Sequence, residues 1–531
     1  MSRTYDRYRK RANENNMSSV TIADKAFQKL ITKRARTLLG LARYLSQCKS
    51  NDKILIRPFL GQLLSQSMQI EELLDAYDAG NNCRWCSFRS LTAAMKLFSD
   101  VSYELLHIQH SLPAYRLLPI VLDFIKATEE ALEFSGTILS RAGKQMISRA
   151  CQLNLAIPQG ALREKSYTED LPAGRLPHDC GTRRIETVSE TVTLLATAFL
   201  NLAAESKDVR AASQAKPEEY ASFVLDSVSE EKLRSLELRF HNLQSLYDTY
   251  VSGTEAEDLD TDLPVLRGHI SVVFHLLKTA TSFAHYYERH VNKELCDSPT
   301  RFEPLVKAEE LLMVLMNYSV KSISLYIDCA EHLCQRMLKR YAEVDRIEVS
   351  VPPYRGFHVR PSTLISKLVL HYGSEVRMQM DDEDYDAGSP LELFRANEKV
   401  NAQKRRWLAS EIVHLNIIRE QQQAGRSNID PVVRSVVLTL AERGKLILYE
   451  QPLQLPQEPT GKEGTLLERV TDEMARLLAM GKIDVDANLT TTFIGDKRVL
   501  ADINLLAESG YGEDNFGNNV PLPEKLEYLR R

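Results

Sequence analysis

Gly356-Phe357-His358-Val359-Arg360-Pro361-Ser362-Thr363 is the stretch on which the fold turns. Before it, Ile347, Val349 and Val351 alternate with Arg346, Glu348 and Ser350, the period of a half-buried strand. After it, Leu364, Ile365, Leu368, Val369 and Tyr372 form a helical stripe. Gly356 permits an unusual backbone angle or a close approach just ahead of that helix. Pro361 fits a first helical turn, where its missing N–H is not needed. His358 therefore sits at, or one residue before, a helix N-terminus, beside free backbone N–H groups. Arg360, two residues on, can fold back to the same point. A phosphoryl group on the imidazole would meet the positive helix end, the orphan donors and a guanidinium fork. The ring keeps a lone pair for attack on phosphorus, and phosphoryl transfer needs little beyond a nucleophile, positioning and charge stabilisation.

The pattern Gly-apolar-His-x-Arg-Pro-small, set between a strand and an amphipathic helix, resembles the active-site signature of HPr, the histidine-containing phosphocarrier of the bacterial sugar phosphotransferase system. Ser389 stands where that family's regulatory serine is expected, and Leu391, Leu393 and Phe394 resemble the apolar patch on its second helix. The resemblance implies an α+β, open-faced β-sandwich. It implies that His358 accepts a phosphoryl group from an enzyme I-like protein donor, with Arg360 as its charge partner. It further implies that Ser389 is a target of an ATP-dependent HPr kinase and that Leu391, Leu393 and Phe394 meet partners. No cofactor and no metal are expected. The competing reading is a non-catalytic scaffold or interaction protein with a structural HPr-like module. Ser389-Pro390-Leu391-Glu392 is also a capping box, which accounts for the serine by structure alone.

Further along, Val376, Met378 and Met380 alternate as a second strand, and Leu391, Phe394 and Val400 mark a helix face. Val436, Leu438 and Leu440 read as a strand, with Leu446 and Leu448 as another. Leu466, Leu467, Val470, Met474, Leu477 and Leu478 form an amphipathic helix. The expected order is β-α-β-(β)-α-β-α over 346–482, with helices on one face of an antiparallel sheet. An insertion is expected at about 400–433, where Lys404, Arg405, Arg406 and Trp407 read as a solvated helix face. Asp381, Asp382, Glu383, Asp384 and Asp386 read as a solvated hairpin turn. Residues 483–531 read as an irregular C-terminal extension, and Gly461–Lys462 lacks the earlier glycine of a P-loop.

The remainder is read as helical. Residues 1–19 form a basic tail carrying Arg3, Arg7, Arg9, Lys10 and Arg11. Helical blocks are expected at 20–154 and 186–345, separated by a Pro- and Gly-rich linker at 155–185. Stripes such as Leu38, Leu39, Leu41 and Ala42, or Leu194, Ala198, Phe199 and Leu202, support this. His107 with His110, and His285 with His290, lack further metal ligands in sequence, and the second pair, five apart, is expected on different faces of its helix. Cys83 and Cys86 form a lone C-x-x-C, expected as buried or half-buried helix thiols. A length of 531 residues with 44% apolar and 26% charged side chains describes a multidomain globular protein. A net charge of −5 offers no basic footprint for nucleic acid, and no apolar run reaches bilayer length. The expected location is cytoplasmic, and the partner of the helical region is unknown.

Overall fold

The structure is a computed structural model that describes residues 21–47, 55–159, 187–291, 305–423, 428–449, 453–455, 464–485 and 487–530. It is mostly helical, with small antiparallel sheets. Contacts divide the chain into two units, 1–184 with 206–330 and 185–205 with 331–531. The basic tail at 1–19, residues 160–185 of the expected linker and the Gly461–Lys462 pair lie outside the described residues. Among the described residues no helix is long and apolar enough to cross a membrane.

The first unit is all helix: α1 (Asp24–Arg34), α2 (Arg36–Gln47), α3 (Arg57–Ala76), α4 (Cys86–Tyr115) and α5 (Phe124–Gln152). The chain then forms α6 (Val188–Glu205), which belongs to the second unit. It returns through α7 (Lys207–Ala212), α8 (Tyr220–Val224), α9 (Glu230–Tyr250), α10 (Ala256–Leu259), α11 (Asp262–Tyr286), α12 (Ala308–Val314) and the start of α13 (Lys321–Arg340). α4 is the hub, packing on α3, α5 and α11. Its buried Phe88, Leu91, Met95, Phe98 and Leu105 recur at helical spacing, so one stripe serves several neighbours. On α6 the buried stripe is Val192, Leu195, Ala196, Phe199 and Leu202; the expected core residue Leu194 is exposed instead. Residues Tyr287–Val291 wind as a π-helix. That wider turn returns a side chain every five residues, so the His285 and His290 rings lie 5.8 Å apart rather than on different faces.

In the second unit, β1 (Val344–Ser350), α14 (Val359–Tyr372), β2 (Arg377–Met380), β3 (Glu383–Asp386) and α15 (Pro390–Val413) follow in order. Next come α16 (Asn416–Gln423), α17 (Ile429–Glu442), β4 (Leu446–Leu448), α18 (Leu466–Ala479), β5 (Ile483–Val485), β6 (Thr490–Asp496) and α19 (Lys497–Glu508). The main sheet has the antiparallel order β1-β6-β2-β3. Register places Ile347, Phe493, Met378 and Tyr385 side by side on one face and Glu348, Thr492, Gln379 and Asp384 on the other. α15 and α19 cover the apolar face, with α14 packed against both. Two acids, Asp381 and Asp382, make the β2–β3 turn, while Glu383, Asp384 and Asp386 belong to β3 itself.

Two expectations fail here. Val436, Leu438 and Leu440 are helical, in α17, where Val432, Val433, Val436, Val437 and Leu440 form the buried stripe and Leu438 points outward. Val436, Leu438 and Leu440 satisfy a period of two, but the spacing of the buried set is that of a helix. The fourth strand of the main sheet is β6, and α19 is its closing helix, so 483–531 is not an irregular extension. Among the described residues between β3 and β6, none joins the main sheet. Residues 408–485 build a core of their own around Leu408, Ile412, Val433, Val436, Met474 and Val485, with β4 paired to β5.

His371, near the end of α14, donates from Nε2 to Asn201 Oδ1 at 3.2 Å and lies 4.4 Å from the Tyr528 ring. Burial lowers its pKa from 6.5 to about 4. The unfolded chain therefore takes up a proton that the folded chain refuses between those values, and stability falls as pH drops through this window. The loss is expected to reach at most about 3 kcal/mol, and His371→Gln should flatten it in urea titrations at pH 4.5 and 7. Phe493→Ala, in the middle of the sheet, should cost about 3–5 kcal/mol. Leu438→Ala should cost less than about 0.5 kcal/mol, as suits an exposed helical position.

Candidate functional site

His358 is the N-cap residue of α14, with extended backbone (φ −74°, ψ −173°) and no capping bond from its side chain. Two consecutive left-handed residues deliver it there: Arg355 (φ 55°) and Gly356 (φ 61°). A Cβ on Gly356 would lie 2.2 Å from Asn397 Oδ1, so only glycine fits. The non-glycine Arg355 costs about 1–3 kcal/mol in this conformation and is held by several bonds. Its N–H donates to Asp484 Oδ2 (3.0 Å), its carbonyl accepts from Asn397 Nδ2 (2.9 Å) and its guanidinium reaches Gly481 O (3.1 Å). Asn397 Oδ1 also accepts the Phe357 N–H at 3.0 Å. α15 and the inserted segment thus fix the loop that aims His358.

The ring is half-buried, and it meets a carboxylate. His358 Nε2–H donates to Glu513 Oε1 at 2.8 Å, with Oε2 at 3.0 Å. Arg360 Nη1 donates to Glu513 Oε2 at 3.0 Å and to the Gly517 carbonyl at 2.9 Å. The Glu513 side chain is 0% exposed, against 21% for His358 and 36% for Arg360. Among the described residues, Arg360 is the charged partner of this buried carboxylate and His358 is its second hydrogen-bond donor. Removing such a partner strands the charge, at a cost of about 3–5 kcal/mol. Among the described residues, His358 Nδ1 and the Nε and Nη2 of Arg360 make no hydrogen bond.

Glu513 is held in a knitted turn. Tyr511 is buried and donates its hydroxyl to Ser350 O at 2.6 Å. Val520 N–H bonds Gly512 O at 3.0 Å, and Asp514 caps the turn through Phe516 and Asn518 N–H groups, both at 2.9 Å. Gly517 (φ 79°) packs so closely under Tyr354 that a Cβ would lie 2.5 Å from that ring. Tyr354 stands edge-on to His358 at 5.4 Å and contacts Tyr449, which contacts Phe516. Beneath this wall lies a buried ion pair: Lys404 Nζ to Asp484 Oδ1 at 2.7 Å, both side chains under 5% exposed. Lys404 is therefore not part of a solvated face, although Arg405 and Arg406 are exposed.

Ser389 caps α15, its Oγ accepting the Glu392 N–H at 3.3 Å, with Pro390 in the first turn. Leu391 and Phe394 are exposed at 73% and 49%, but Leu393 is fully buried and cannot serve a partner surface. The structure brings His358 and Arg360 together. It adds Glu513, Tyr354, Asn397 and the Lys404–Asp484 pair, none of which the sequence singled out as site residues. Glu513 is 155 positions from His358, and a single acid in a Gly- and Asn-rich turn has no local signature.

The other noted residues lie elsewhere. His107 hydrogen-bonds Tyr115 and lies tilted against the His275 ring at 4.3 Å. Glu104, beside them, is buried, which works against its charge, yet the bond from His275 and the Lys278 ammonium hold its pKa at about 2. Cys83 is an exposed turn residue and Cys86 is half-buried, because α4 begins only at Cys86. Among the described residues no three His, Cys, Asp or Glu side chains are grouped to hold a metal ion.

Comparison with protein-family models, with curated proteins and with solved structures found no match. Lys404→Met, which leaves Asp484 buried and unpaired, should cost about 3–5 kcal/mol in chemical denaturation. It should also broaden the His358 ring resonances by loosening the loop at Arg355.

Proposed function

We propose that β1–α15 together with β6–α19 and the following turn form an HPr-like histidine phosphoacceptor module, with His358 taking the phosphoryl group and Arg360 balancing its charge. One observation carries this reading: an imidazole and a guanidinium at a helix N-terminus converge on a single anion, the Glu513 carboxylate. A site that binds one anion this way has the donors that a phosphoryl group requires. The element order β-α-β-β-α-β-α, with helices on one face of an antiparallel sheet, agrees with the open-faced sandwich that the resemblance implies, once β6 and α19 are taken as its last pair. The donor would be an enzyme I-like protein, and the setting cytoplasmic signalling of the phosphotransferase type. Ser389 is the candidate for an HPr kinase; a phosphate there would sit at a helix N-terminus, where a dianion is favoured.

A second reading has its own support. Glu513 already accepts a hydrogen bond from both groups, so the cluster also works as a staple between α14 and the chain after α19, in a protein whose task is interaction. Incubation with phosphoenolpyruvate and enzyme I separates the two. The phosphoacceptor reading expects an acid-labile label that is lost in His358→Ala, whereas an unlabelled wild-type chain, under conditions that charge an ordinary HPr, leaves only the staple. In the same preparation, ATP and HPr kinase should add an acid-stable label that is lost in Ser389→Ala.

A further inference from the structure

We propose that Glu513 is a positioning residue for His358, setting the ring's tautomer so that Nδ1 presents the attacking lone pair. The inference rests on the phosphoacceptor reading and gives the carboxylate a working part in it. A carboxylate can only accept, so a ring carrying one proton must hold it on Nε2, between Glu513 Oε1 and Oε2 at 2.8 and 3.0 Å. The lone pair is then on Nδ1, which has no partner among the described residues. Arg360 spends only Nη1 on Glu513 and Gly517, and its Nε and Nη2 edge is left for an incoming phosphoryl oxygen. One acid thus orients both working groups while leaving the reactive atom of each without a hydrogen bond among the described residues.

The alternative, a plug that must leave before anything binds, fits the geometry less well. Glu513 is wholly buried and its turn is tied down by Tyr511, Asp514, Val520 and Arg530, so withdrawal would strip a carboxylate of both partners and break the turn with it.

The step balances without moving a proton. The Nδ1 lone pair forms the N–P bond as the bond from phosphorus to the donor breaks, and the donor's leaving group departs with the electrons of the broken bond. The ring, now bonded to phosphorus at Nδ1 and to hydrogen at Nε2, carries a positive charge that faces the Glu513 carboxylate. On onward transfer the N–P pair returns to Nδ1 and the neutral ring is restored.

The test uses the full chain and phosphoramidate, a small donor that transfers its phosphoryl group to imidazole with release of ammonia and needs no protein partner. Ring ¹⁵N shifts in the wild type should show a protonated Nε2 and a bare Nδ1, and the label should be on Nδ1. Glu513→Ala should give averaged ring shifts and label about ten- to a hundredfold more slowly, the usual size for the partner behind a working histidine. Glu513→Gln, which keeps an acceptor without the charge and is the milder change to the fold, should fall between. Faster labelling of Glu513→Ala, a label on Nε2, or a bare Nε2 in the wild type would each overturn the assignment. Phosphoramidate labelling that is slowed in Glu513→Ala, with no labelling by enzyme I, upholds Glu513 while removing the phosphotransferase donor. Equal labelling of wild type and Glu513→Ala by both donors upholds the acceptor and removes the role of Glu513.

Discussion

A fully buried carboxylate has to find its hydrogen bonds and its countercharge within the protein, and the second unit meets that demand at Glu513. Its two partners come from the first turn of α14, and it arrives from a turn that follows α19. Because the buried anion tolerates neither partner's loss, it fixes the direction of the His358 ring and of the Arg360 fork together. Burial makes the pairing strict, since the low local dielectric that strengthens each bond also raises the cost of leaving one unmade.

Around that triad the supports form layers that are widely separated in sequence. Asn397 on α15 satisfies the backbone at Arg355 and Phe357. Asp484, from the inserted segment, takes the Arg355 N–H and is itself neutralised by Lys404 on α15. α15 runs through both layers, its first half packing on β2 and β3 and its last turns contributing Leu408 and Ile412 to the core of the insertion. A long insertion is therefore no passive loop: its Asp484 helps hold the left-handed residue that lets the chain turn into α14.

Legibility followed the range of the interactions. The strand ending at Ser350, the helix from Val359, the Ser389 cap and the amphipathic α18 depend on neighbours within a few residues, and local pattern showed them. Val436, Leu438 and Leu440 satisfy a period of two, but the helical stripe through Val432, Val433, Val436, Val437 and Leu440 decides the burial of α17. β6 shows no clean alternation, with Thr490, Thr491 and Thr492 polar in a row and Phe493 and Ile494 apolar together, so it gains its meaning only between β1 and β2. The apolar trio after Ser389 was taken as one surface, yet helical rotation turns Leu393 to the core and leaves Leu391 and Phe394 outside.

Composition and local spacing by themselves determined a largely helical protein whose one chemically pointed feature is a histidine at a helix start with an arginine two residues on. Only the tertiary structure decided which strand completes the sheet, that residues 408–485 fold as an inserted core, and that the imidazole and guanidinium share a buried acid. The reason is physical: helix starts and caps are set by interactions along the backbone, whereas a sheet's pairing and an ion pair across 155 residues exist only once the chain has closed on itself.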